Sequence, residues 1–88
     1  MSDFYSVIFT GKARRQAEKL PRDVQERIAA RLSEIQDHPF HPQLSKKLKN
    51  KSGLRSTRVG DYRVLYFADR ELRRVFVEAV GHRREVYD

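Results

Sequence analysis

The chain has 88 residues, which leaves room for one domain with a small core and shallow surface sites rather than a deep cleft. It contains no cysteine, which excludes disulfides, thiolate nucleophiles and cysteine-bound metals and fits a reducing cytoplasm. The first ten residues, MSDFYSVIFT, are too short and too acidic for a signal peptide, and no apolar run approaches a membrane span. The formal net charge is +7, and its distribution is uneven: residues 44–63 hold seven lysines and arginines opposed only by Asp61. Such a zone suits a polyanion partner; it also suits a solvated basic face or a surface that docks an acidic protein.

In chain order, FYSVIF (residues 4–9) is strand-like, being aromatic and β-branched. Thr10 is placed to cap a short helix over residues 11–20, with Ala13, Ala17 and Leu20 on one face. Pro21 and Asp23 suit the first turn of a second helix, in which Val24, Ile28, Leu32 and Ile35 form an apolar stripe at helical period. Arg22, Arg27, Arg31 and Glu34 fall mostly off that stripe. The prolines of DHPFHP (residues 37–42) stop the helix. QLSKKLKNKSGL is a basic loop, and LRSTRV (54–59), YRVLYF (62–67) and LRRVFVEAV (72–80) are three further strands, the last two separated by a turn at ADRE. The expected fold is α+β with the order β-α-α-β-β-β: a helical hairpin on a mainly antiparallel four-stranded sheet, in one domain spanning residues 1–88.

Gly60-Asp61 between two strands is a hairpin signal, and a two-residue loop sets Val59 opposite Tyr62 and Arg58 opposite Arg63. Like charges directly opposite on one face destabilise a sheet. A phosphate between the two arginines would explain the pair, whereas two side chains splayed into water would repel only weakly. The C-terminal GHRREVY adds Arg83, His82 and Tyr87. Histidine serves readily as an acid or base near neutral pH, though at a strand end it also serves as a plain surface residue. A tyrosine becomes a base only where cations stabilise its phenolate; otherwise Tyr87 packs the chain end. The three histidines lack metal-ligand spacing, and there is no phosphate-cradling glycine loop and no catalytic triad. Tyr62, beside Arg63, is the best-placed aromatic for stacking on a base, with core packing as its alternative role.

The element order, the KKLKN loop, RVGDYRVLY and AVGHRREVY together resemble the RelE/ParE toxin superfamily of type II toxin–antitoxin systems, over essentially the whole chain and most closely its RelE branch. That resemblance implies a ribosome-dependent endoribonuclease that cuts mRNA in the A site and inhibits translation in the cytoplasm. The RNA 2′-hydroxyl attacks the neighbouring phosphate, and neither metal nor cofactor takes part. It implies Tyr87 as base, Arg58 and Arg63 as phosphate clamps, and Arg83 as stabiliser or proton donor, with His82 or a ribosomal group as acid. Lys46, Lys47 and Lys49, with Lys51 and Arg55, would bind RNA. The implied partners are the ribosome with its rRNA, mRNA, and a RelB-like antitoxin in a hetero-oligomer. A ParE-like gyrase inhibitor and an inert RNA- or antitoxin-binding member are the alternatives. The sequence departs from the RelE pattern at Ser56, where a second basic residue often stands, and it stops at Asp88 without the C-terminal helix of some relatives.

Overall fold

The computed structural model describes residues 4–49 and 53–86. Its elements are β1 (Ser6–Phe9), α1 (Gly11–Glu18), α2 (Arg22–Asp37), β2 (Lys46–Lys47), β3 (Leu54–Val59), β4 (Tyr62–Asp69), β5 (Arg74–His82) and a single helical turn, α3 (Arg83–Val86). The α+β architecture is the expected one, but the sheet has five strands rather than four, in the order β1-β5-β4-β3-β2. The addition is β2, which forms inside the basic loop by pairing antiparallel with β3. Alone it carries no strand signal, since two lysines have neither periodicity nor β propensity. β1 runs parallel to β5, and the other neighbours are antiparallel.

Local sequence accounts for most boundaries. The Thr10 hydroxyl accepts the Ala13 amide at 3.1 Å and starts α1. Pro21 caps α2 through its backbone conformation alone, without a side-chain hydrogen bond, and α2 ends at Asp37 just before the prolines. The stripe Val24, Ile28, Leu32 and Ile35 is buried against Val59, Val64, Tyr66, Val75, Val77 and Val80 of the sheet. β5 begins at Arg74, later than its composition suggests. The Asp69 carboxylate accepts the Glu71 and Leu72 amides, and Arg73 turns the chain with a φ of 54°.

One face of the sheet carries α1 and α2; the other, the open face, exposes Ile8, Arg58 and Phe67 but buries Ser56, Leu65 and Ala79. On the open face the register aligns Ile8, Phe76, Phe67 and Leu54 in a row across β1, β5, β4 and β3. Between Leu65 and Tyr66 the β4–β5 register shifts, because Leu65 faces Ala79 while Tyr66 faces Val77. Glu78 is the extra residue of this bulge, and beyond it β5 exchanges the faces of its side chains.

Candidate nucleic-acid interface

The β3–β4 hairpin has the register expected of a two-residue loop. Arg58 faces Arg63, Val59 faces Tyr62, and Gly60 takes a φ of 60°. The two guanidinium groups reach different acceptors. Arg58 Nε donates to the Gly60 carbonyl at 3.1 Å, and Arg63 Nη1 approaches the Ser56 hydroxyl at 3.5 Å. Ser56 is 3% exposed, so the position that departs from the RelE pattern steadies Arg63 instead of adding charge. β2 sets Lys46 directly opposite Ser56, so a cation stands beside that position on the neighbouring strand.

These residues open onto a cleft of about 540 Å³ at the outer edge of β3, between the loop at residues 42–45 and the hairpin turn. Arg31, Lys46, Arg58 and Arg63 line it, and no carboxylate does. Four cations around one recess concentrate a positive potential that favours a phosphate chain. Arg31 is the member that sequence reasoning passed over. It lies off the apolar stripe of α2, and nothing local indicates that this flank of the helix meets the edge of β3.

The remaining expected site residues divide. The Arg83 amide donates to the Asp61 carbonyl at 2.9 Å, so α3 starts against the hairpin turn and Arg83 joins that end of the sheet. His82 does not join Arg58 and Arg63. The bulge in β5 pairs it with Tyr62, and its ring lies edge-on to Tyr62 at 5.8 Å, on the face opposite Arg58 and Arg63. The His82 Nδ1 accepts the Arg84 amide at 3.3 Å. Tyr62 itself packs against the core, as its alternative role required.

Arg55 is committed to the fold. Its Nε donates to the Ser45 hydroxyl at 2.7 Å, and its Nη2 donates to the Ser45 and Phe40 carbonyls at 3.1 and 3.3 Å. Lys47 stands opposite Arg55, on the face away from Lys46, and Lys49 is exposed beyond β2. Lys51 and Tyr87 lie outside the described residues. Among the described residues no cluster of histidines and carboxylates could hold a metal ion, and no helix is long and apolar enough to cross a membrane.

Two helices on one face of a mixed sheet, with an arginine hairpin and an acid-free cleft at its edge, define a small α+β protein with its cations concentrated at one strand edge. Residues 7–87 match the family model described as the ParE toxin of type II toxin–antitoxin systems, parDE, and the chain belongs to that family of the RelE/ParE superfamily. Solved structures agree. The toxin of the RelBE2 complex of Mycobacterium tuberculosis is 32% identical, with a TM-score of 0.77 over 91% of this chain and 99% of that one. The isolated Escherichia coli RelE toxin is 29% identical, with a TM-score of 0.80 over 94% of this chain and 90% of that one. In the intact Escherichia coli RelBE complex the match is 26% identical, with a TM-score of 0.80 over 89% and 95%. No curated protein matches the chain by sequence.

Proposed function

We propose that this type II toxin is a ribosome-dependent endoribonuclease that cleaves mRNA in the A site. The observation that carries the reading is the acid-free cleft, in which Arg58 and Arg63 stand opposite each other with Lys46 one strand away. RNA supplies its own nucleophile. A base takes the proton of the 2′-hydroxyl, the 2′-oxygen attacks the adjacent phosphorus, and the 5′-oxygen leaves with a proton from an acid. The products are a 2′,3′-cyclic phosphate and a free 5′-hydroxyl. Arg58 and Arg63 neutralise the charge that builds on the phosphoryl oxygens. Arg83 supports them from the start of α3, and Tyr87 serves as the base. The proton for the leaving group comes from the ribosome or from a group ordered there, since His82 faces the other side of the sheet. Lys46 and Lys49 contact RNA.

The row Ile8, Phe76, Phe67 and Leu54 supports a second partner. Ile8 and Phe67 are 38% and 37% exposed and Phe76 and Leu54 half-buried, so the row offers apolar surface for a partner to cover. The relatives crystallised as RelB–RelE complexes point to a RelB-like antitoxin as that cover, in a cytoplasmic hetero-oligomer. A ParE-like gyrase inhibitor is the second reading, favoured by the family model itself.

Cleavage of mRNA on programmed ribosomes separates the two. Wild-type protein cuts, and Arg58→Ala or Arg63→Ala each lose roughly 10²–10³ in rate. Tyr87→Phe also loses activity. Intact mRNA together with blocked gyrase supercoiling would overturn the nuclease reading.

A further inference from the structure

Arg31 is held unlike the other cations of the cleft. Its Nη1 donates to the Thr57 hydroxyl and to the Arg58 carbonyl, both at 2.8 Å, and its Nε donates to Glu34 Oε1 at 3.2 Å. Thr57 passes the restraint on, because its hydroxyl donates to the Leu44 carbonyl at 2.7 Å and so ties the cleft's far wall to β3. These bonds use the Nε–H and both hydrogens of Nη1. Among the described residues the Nη2 amino group takes no acceptor, and Arg31 lines the same recess as Lys46, Arg58 and Arg63 with its side chain 29% exposed.

A guanidinium fixed by three bonds surrenders little side-chain freedom when it binds an anion. It sits on the edge of β3, whereas the Arg58–Arg63 pair sits on the open face, so the two sets of donors are offset around one strand edge. On the reading that the cleft cleaves RNA, we infer that Arg31 binds, through Nη2, the phosphodiester adjacent to the scissile one. The RNA then passes over the edge of β3 between Arg31 and Lys46, rather than staying on the open face.

The test uses mRNAs carrying a single uncharged methylphosphonate linkage on the 5′ or the 3′ side of the scissile phosphate, assayed on programmed ribosomes. One of the two linkages is expected to slow the wild type roughly 10- to 100-fold, the range of a charged hydrogen bond. Arg31→Met is expected to be slowed to a similar degree on unmodified mRNA and to be indifferent to that same linkage. Arg31→Lys, which keeps the charge without the fork, should retain part of the sensitivity, and it decides the matter if Arg31→Met melts too low to assay. Losses that multiply in Arg31→Met, undiminished sensitivity in Arg31→Lys, or a wild type indifferent to both linkages would overturn the assignment alone. A wild type that leaves unmodified mRNA intact would overturn the nuclease reading and this assignment with it.

Discussion

Tyr66 shows how much of the site's scaffold depends on single buried polar groups. Its side chain is wholly buried, its hydroxyl donates to the Pro39 carbonyl at 2.6 Å, and it shares a 2.7 Å hydrogen bond with the Ser45 hydroxyl. Arg55 joins the same group through Ser45, so a strand, a loop and a guanidinium meet at one hydroxyl. Tyr66→Phe keeps the ring and strands the carbonyl, and should lower stability by about 1–3 kcal/mol. Urea unfolding should show this as a lower midpoint with an unchanged slope. A tyrosine in a strand-like run is readable as core. Its bond to Pro39, far back in the sequence, is not, because no local pattern encodes which loop the hydroxyl will meet.

At the scale of elements, the β3–β4 hairpin is the unit that sets Arg58 opposite Arg63. Gly60 has a φ of 60°, and a Cβ there would lie 3.4 Å from Arg27 Nη1. Gly60→Val forces a β-branched residue into left-handed backbone and presses on Arg27, at a cost of about 1–2 kcal/mol. In a domain of this size the melting temperature should fall by about 5–15 °C. The same variant shifts the carbonyl that Arg58 bonds, so cleavage should fall further than the stability loss explains. Circular dichroism melts and cleavage rates on the same preparations check both. This hairpin was legible in advance because a two-residue turn and a period of two determine a register without help from the rest of the chain. The apolar stripe of α2 was legible for the same reason at helical period.

Across the whole molecule, two regions of the sheet differ in chemistry. The cleft at the β3 edge gathers cations, while the open face carries the apolar row from Ile8 to Leu54. Ile8 lies on β1, at the opposite edge of the sheet from the cleft. Ile8→Lys should therefore weaken the toxin–antitoxin complex by roughly tenfold or more, the cost of losing an apolar interface contact. Ribosome-dependent cleavage by the free toxin should remain close to wild type. Titration calorimetry with the cognate antitoxin, alongside the cleavage assay, separates the two effects.

Periodicity and turn chemistry were enough by themselves to determine the α+β class, the order of the elements other than β2 and α3, and the Arg58–Arg63 pairing. Each is a property of neighbours in sequence. The tertiary structure decided what neighbours cannot. Pairing with β3 turned two lysines into β2 and brought Lys46 beside Ser56. The packing of α2 on the sheet carried Arg31 to the β3 edge, and a network around Ser45 withdrew Arg55 into the scaffold. One extra residue in β5 reversed the face of His82. Side chains alternate strictly along a strand, so a single bulge, set by which strands meet and where, is enough to move a residue from one side of the sheet to the other.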